Sequence, residues 1–276
     1  MRIRVGGVAP VLDRLSVAGN LTRRRLLTGV PSAAGLFMLA GAAPTGPAST
    51  SRATTHPRPH PATAAPTPLP AQHRPIFTLA DYRRITSAPA FPSDAVALTI
   101  DDGPHPVWTP KILRLLDRYH VPALFCMIGN QVLGHEPVAR AVVRAGHQLA
   151  NHTWSHPAAL ASKPPGRIRH EITKAQEKIR DTTGYPPKLF RSPGGAWSPS
   201  VLHEAAHAGL IPLDWSDDTR DWTRPGTAAI TRRLLAARPG QILLCHDGGG
   251  DRSQTYTALS TAIPALTAHG LRFVAL

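Results

Sequence analysis

From Phe91 to the C-terminus, short apolar runs alternate with longer amphipathic stretches, and that alternation admits few folds. The runs occupy 95–100, 123–128, 148–151, 189–191, 210–214, 241–245 and 272–275. Helical patterns lie between them, near 110–119, 137–145, 167–183, 199–208, 228–238 and 254–269. Thr109-Pro110 and Ser198-Pro199 read as N-caps followed by first-turn prolines. Gly146, Gly184, Gly209 and Gly270 stand where the preceding helices would end. Strand-then-helix repetition predicts a parallel sheet with helical crossovers. Seven strands and six helices fit either a barrel or a doubly wound sheet, and periodicity does not separate the two.

The ionisable residues fall on this map in a pattern that random placement would not give. Asp101 and Asp102 leave the first run, His152 and His156 follow the third, and Arg191 ends the fourth. Asp217, Asp218 and Asp221 follow the fifth, and His246 ends the sixth. All lie at C-terminal ends of strands, the edge where parallel α/β folds assemble their active sites.

Consecutive carboxylates leaving an apolar strand are costly unless opposite charge is supplied nearby. A surface turn built on Asp102-Gly103 would explain one acid, but not the V-A-L-T-I run that feeds both. His152 and His156 are spaced by four, which on a helical turn aims both imidazoles the same way. Alone, such a pair serves a surface or core role as readily. With one carboxylate it makes a His₂-Asp set that leaves positions open for water or substrate, as a catalytic zinc site requires.

The remainder of the chain is of another kind. Twenty-nine prolines are too many for one compact domain of a 276-residue chain, and they concentrate in 44–75, a Pro/Thr/Ala/His segment with almost no large apolar residue. Such a segment cannot bury enough surface to offset its ordering and is expected to be a disordered spacer. Before it, T-R-R-R-L-L at 22–27 precedes a mildly apolar stretch ending in Ala40-Gly41-Ala42, which resembles a twin-arginine export signal with a small-residue cleavage site. That stretch, interrupted by Gly29, Pro31 and Gly35, is too short and weak for a stable membrane span, and a retained N-terminal anchor is the alternative to cleavage. The expected organisation is therefore signal 1–43, linker 44–75 and catalytic domain 76–276, with the product secreted or associated with the cell wall.

The formal charge of +14 is concentrated outside the domain: residues 1–25 hold six Arg and one Asp, and 44–75 hold three Arg and no acid. The 22 basic and 16 acidic residues elsewhere form no stripe of the kind nucleic-acid binding needs, so no nucleic-acid partner is expected. Cys126 and Cys245 sit in apolar runs and read as two buried free thiols, although export would also permit a disulfide.

Five motifs in order carry a resemblance: T-I-D-D-G-P at 99–104, H-T-W-S-H at 152–156, F-R-S-P-G-G at 190–195, D-D-T-R-D-W at 217–222 and L-L-C-H-D at 243–247. Together they resemble the polysaccharide deacetylase, or NodB-homology, family, carbohydrate esterase family four. The resemblance spans about 93–276. It implies a distorted (β/α) barrel of about seven parallel strands and metal-dependent removal of acetyl groups from sugars. By position, Asp102, His152 and His156 would be metal ligands and Asp101 the general base, with Arg191 holding Asp101 ionised. His246 would be the general acid, oriented by Asp221 or, failing that, Asp218. Leu244 and Trp222 would line the acetyl pocket, and the Gly194 amide would meet the oxyanion. Where the family usually has an aromatic residue, this chain has Gly194, which leaves open whether Trp197 fills the space.

A His₂-Asp set accepts zinc, and also cobalt or nickel. The expected partner is an acetylated polysaccharide acted on by a monomer. Peptidoglycan and chitin-type oligosaccharides are the leading substrates, with peptidoglycan favoured by export and by a spacer long enough to reach through a wall. Acetylxylan, with O-acetyl groups, is the alternative. A rival site is His203-Glu204-Ala205-Ala206-His207, which matches the H-E-x-x-H peptidase signature. It falls on a predicted crossover helix away from the acidic edge, and the extended form of the signature would need a glycine and a third histidine where Leu210 and Leu213 stand. A non-catalytic glycan binder is the other rival, but such a chain would be expected to lack a base or a ligand.

Overall fold

A computed structural model of the protein describes residues 67–276. The expected signal segment, and the expected spacer as far as residue 66, lie outside the described residues. Eight strands form one sheet: β1 Ala95–Asp101, β2 Ala123–Met127, β3 Gln148–Asn151, β4 Leu189–Phe190, β5 Ile211–Pro212, β6 Asp217–Asp218, β7 Ile242–His246 and β8 Arg272–Phe273. Their order is β5-β4-β3-β2-β1-β7-β6, with β8 also on β1, and every pairing is parallel. The helices are α1 Leu79–Thr86, α2 Trp108–Arg118, α3 Gly129–Val132, α4 Glu136–Arg144, α5 Pro165–Thr183, α6 Pro199–His207, α7 Thr227–Leu235 and α8 Ser253–Ala268. The sheet curls into the distorted barrel that the motifs imply.

The two faces of β1 show how the barrel is filled. Leu98 and Ile100 pack outward with Phe125, Met127, Leu149, Leu243 and Cys245 against α2, α4, α7 and α8. Ala95 and Ala97 face the lumen with Leu124, Cys126, Ala150, Leu189 and Ile242. The cysteines thus belong to opposite faces of the sheet, and both are free thiols whose pKa burial pushes well up. Small residues on the inner face leave room for one large side chain, described below.

The strands β5 and β6 at the two ends of the sheet do not pair with each other. The seam is stitched by a segment upstream of the alternation. Ile76 bridges Leu213 in parallel and Thr78 bridges Gln241 in antiparallel fashion. Ile76 N–H donates to Pro212 O (2.9 Å), Asp214 N–H donates to Ile76 O (2.7 Å), and Leu79 N–H donates to Gly240 O (2.9 Å). Ile76 is fully buried among the lumen residues. Thr78 then caps α1 by accepting from Asp81 N–H.

Three sequence expectations need correction. The alternation begins at Phe91, yet Ile76 and α1 precede it. Two single-residue bridges have no period to detect, and α1 is eight mostly polar residues long. Ser198 is the N-cap of α6, accepting from Val201 N–H, but Thr109 caps nothing. The helix α2 already begins at Trp108, and Thr109 is buried, accepting from His105 N–H (2.8 Å) and donating to Asp247. Asp217 and Asp218 do not simply follow a strand, because they form β6 beside Leu243 and Leu244 of β7. Polar dipeptide strands carry no apolar signature.

If Ile76 is the stitch, Ile76→Ala should lower stability by about 3 kcal/mol, the size of a buried Ile truncation with partial collapse. His73→Ala, three residues upstream, should leave stability unchanged. Denaturant unfolding of the two variants checks this, and equal midpoints would show that the segment only decorates the seam.

Candidate active site

Parallel register places the site. Asp101, the last residue of β1, is the direct register partner of His246, the last of β7. The turns that follow these strands pack with almost no clearance: a Cβ at Gly248 would lie 1.9 Å from the Asp102 carbonyl oxygen, and one at Gly103 would lie 2.5 Å from Asp247 Oδ1. Both positions require glycine, and Asp102 itself adopts φ 75°.

Arg191 follows β4 and runs into the barrel lumen, 0% exposed. Its Nη1 donates to Asp101 Oδ1 (2.8 Å) and Thr99 Oγ1 (2.7 Å), and its Nη2 donates to Asp214 O (2.8 Å). Asp101 Oδ2 is left to face outward, 3.7 Å from His152 Nε2.

Asp102, His152 and His156 bring their donor atoms within 4.8 Å of one another, the one such group of His, Cys, Asp or Glu among the described residues. Asp102 Oδ1 is 3.5 Å from His152 Nε2 and 3.2 Å from His156 Nε2. The arrangement does not come from a helical turn. The loop from 152 to 156 reverses through left-handed residues at Thr153 (φ 64°) and His156 (φ 54°). His152 Nδ1 donates to Arg191 O (2.8 Å), which leaves its Nε2 lone pair facing Asp102. Asp102 Oδ1 is buried without a hydrogen-bond donor. Two imidazole nitrogens and an unpartnered carboxylate oxygen fit a divalent metal such as zinc, with coordination positions to spare. Burial alone would raise the Asp102 pKa, but the neighbouring imidazoles of His152, His246 and His156 lower it overall.

His246 is gripped by Asp221. Its Nδ1 donates to Asp221 Oδ1 (2.7 Å) and its backbone N–H donates to Oδ2 (2.9 Å), while Thr255 Oγ1 donates to the same Oδ2 (2.8 Å). Burial opposes the imidazolium, but the bond and charge of Asp221, with Asp102 and Asp101 behind it, raise the His246 pKa to about 9. Asp218 is elsewhere, accepting from Arg220 N–H (2.7 Å) in its own turn. Leu244 is buried within β7 and Trp222 stands 51% exposed on the rim. Gly194 is exposed with φ 60°, and a Cβ there would meet nothing within 4 Å. Trp197 is held away from that space: its ring lies edge-on to Phe190, 5.7 Å between centroids, and its Nε1 donates to Asp214 Oδ2 (2.7 Å).

Residues to which the sequence assigned no role complete the surroundings. Thr99, Asp214 and Thr255 support Arg191 and Asp221 as above. Asp247 is fully buried, accepts from Thr109, and has its pKa raised to about 7 by burial. Asp214, like Asp101, ends an apolar run, a cue that could have marked it. Thr255 lies in the first turn of α8 and had none. The H-E-x-x-H residues do not form a site. His203 and His207 are exposed on α6, and Glu204 is buried in a two-bond pair with Arg169 (2.8 and 3.0 Å).

The polysaccharide deacetylase family model matches residues 88–212. The chitooligosaccharide deacetylase of Bradyrhizobium sp. (strain ANU 289) is 42% identical over 189 residues, 64% of this chain and 86% of that one. The chain belongs to the polysaccharide deacetylase family. The peptidoglycan-N-acetylglucosamine deacetylase of Bacillus cereus is 39% identical over 182 residues, 65% of this family member and 84% of the relative. A crystal structure of a peptidoglycan N-acetylglucosamine deacetylase superposes with TM-score 0.64 at 34% identity, covering 68% of this chain and 88% of that one. A family pseudoenzyme from Bacillus anthracis also superposes, with TM-score 0.61 at 28% identity, covering 66% and 63%. Membership therefore does not by itself establish turnover, which depends on the side chains present at the site.

The His246 pair yields a titration test. A folded pKa of about 9 lies above the ordinary histidine value of about 6.5. The pair's contribution to stability is then fully present below the ordinary value and is lost as pH rises through the folded one. In the metal-free chain the His246 ring should titrate near pH 9 by NMR, and Asp221→Asn should move that midpoint down. A midpoint that ignores Asp221 would break the link.

Proposed function

We propose that this deacetylase family member is a metal-dependent N-deacetylase acting on polymers of N-acetylated sugars, exported through its N-terminal segment. The observation that carries the reading is the convergence, at one end of the barrel, of Asp102, His152 and His156 with the Asp101–Arg191 and Asp221–His246 pairs. Relatives named for chitooligosaccharides and for peptidoglycan N-acetylglucosamine support the N-acetyl substrate class. No helix among the described residues is long and apolar enough to cross a membrane.

Asp102, His152 and His156 would hold the cation, zinc first, with cobalt or nickel also compatible with the donors. When bound, such a cation acidifies water and polarises a carbonyl. The remaining work falls to the chain. Asp101, its Oδ1 fixed by Arg191, takes the proton of the attacking water on its free oxygen. The Gly194 amide donates to the oxygen that becomes negative as the acetyl carbon turns tetrahedral. Protonated His246, its Nδ1–H committed to Asp221, gives its other ring proton to the departing amine. Without that proton the leaving group would be an amide anion. Leu244 supplies an apolar wall for the acetyl methyl, and Trp222 a surface for a sugar ring.

Acetate release should be readily measured on peptidoglycan and on chitin oligosaccharides, and weaker on acetylxylan. His246→Ala should slow the amide substrates by about 10²-fold or more, and an activated aryl acetate much less, since a phenolate leaves unprotonated. Release from acetylxylan alone would transfer the assignment to O-acetyl esters. Equal loss on amide and aryl ester would remove His246 from the acid role.

A further inference from the structure

His152 and His156 are held differently. His152 has its second ring nitrogen anchored on Arg191 O (2.8 Å). His156 has no hydrogen bond at Nδ1 among the described residues, and 35% of its side chain is exposed. Metal-binding histidines ordinarily have the second ring nitrogen bonded, which fixes their aim. The aim of His156 must instead come from its backbone, which is left-handed (φ 54°), a conformation that residues bearing a Cβ keep only under constraint.

The constraint is traceable bond by bond. Thr153 N–H donates to Asn151 Oδ1 (2.9 Å), and His156 N–H donates to Thr153 Oγ1 (3.1 Å). From α3, Gly129 N–H donates to Thr153 O (2.9 Å) and Asn130 N–H to Trp154 O (3.0 Å). Ser155, the residue before His156, is held from α5: its N–H donates to Glu171 Oε2 (2.7 Å) and its hydroxyl to Oε1 (2.8 Å). Glu171 is completely buried, on a helix face otherwise made of Ile168, Ile172, Ala175 and Ile179. Its cationic partner is Arg167 at 3.4 Å, itself largely exposed. An apolar residue would serve packing on that face without the cost of desolvating a carboxylate.

We propose that Glu171 is a positioning residue for the metal site: by clamping Ser155 it fixes the His156 backbone and so the aim of Nε2 at Asp102 Oδ1. The inference rests on the His₂-Asp reading above. Its test reads metal affinity in the full chain, by zinc titration against a chromophoric chelator at a temperature where circular dichroism shows each variant folded. Glu171→Gln should weaken zinc binding by about tenfold or more, the usual size of such supporting contacts. Ser155→Ala, which removes one of the two bonds from an exposed loop residue, should weaken it less. The double variant should match Glu171→Gln alone, because both changes act through one contact.

Failure can be assigned. A wild-type chain that binds no zinc would sink the metal reading and this inference with it. Zinc bound by wild type and equally well by folded Glu171→Gln would overturn the positioning role alone. If Glu171→Gln does not fold, Ser155→Ala decides: unchanged affinity overturns the proposal and a several-fold loss supports it. Additive effects in the double variant would show that Glu171 does not act through Ser155.

Discussion

The ion pair between Asp101 and Arg191 in the barrel lumen is the interaction on which the rest depends. A guanidinium removed from water is strongly destabilising unless its protons are satisfied, and breaking a buried pair costs on the order of 3–5 kcal/mol. Arg191 meets most of that demand through its two terminal nitrogens, which donate to Asp101, Thr99 and the Asp214 carbonyl, while its Nε is buried without a partner. Room for it comes from Ala95, Ala97, Thr99 and Ala150, small residues where a purely structural barrel could carry branched ones. Well-packed apolar side chains often replace such a pair with no loss of stability. What they could not do is hold one carboxylate oxygen fixed and leave the other facing the donors of Asp102, His152 and His156.

The parallel topology turns this pair into a site. All strands point the same way, so β1, β3, β4 and β7 deliver Asp101, His152, Arg191 and His246 to one end. Register then sets Asp101 beside His246, and Gly103 and Gly248 let the two following turns close on each other. The two adjacent carboxylates differ in their neighbours: Asp101 faces a guanidinium, Asp102 faces two imidazoles. His246 forms the second polar unit, with its proton affinity raised by Asp221.

Much of this was legible in the sequence because the signals were local. Apolar runs of four to six residues mark β1, β2, β3 and β7, and the acids and histidines that end or follow β1, β3 and β7 gather at one edge of the sheet. Other parts of the fold carry no such mark. Ile76 closes the seam through single bridges, β6 is a pair of aspartates, and α1 is short and polar. Thr109 looked like a cap because Pro110 follows it, yet tertiary packing drew it inward to Asp247. The structure does bring His152 and His156 together, but not for the reason their spacing suggests, since the loop turns through left-handed residues rather than a helix. The H-E-x-x-H pattern shows the converse: its spacing is right, but Glu204 is consumed by Arg169.

The division of labour between the two adjacent acids is tested most directly by measuring zinc content and acetate release together in Asp101→Asn and Asp102→Asn. An amide at 101 cannot take the water proton, so that variant should keep its zinc and lose turnover by about 10²–10⁴-fold. An amide at 102 replaces an anionic ligand with a neutral one, so that variant should lose zinc. A zinc-free Asp101→Asn beside a zinc-loaded, active Asp102→Asn would contradict the assignment.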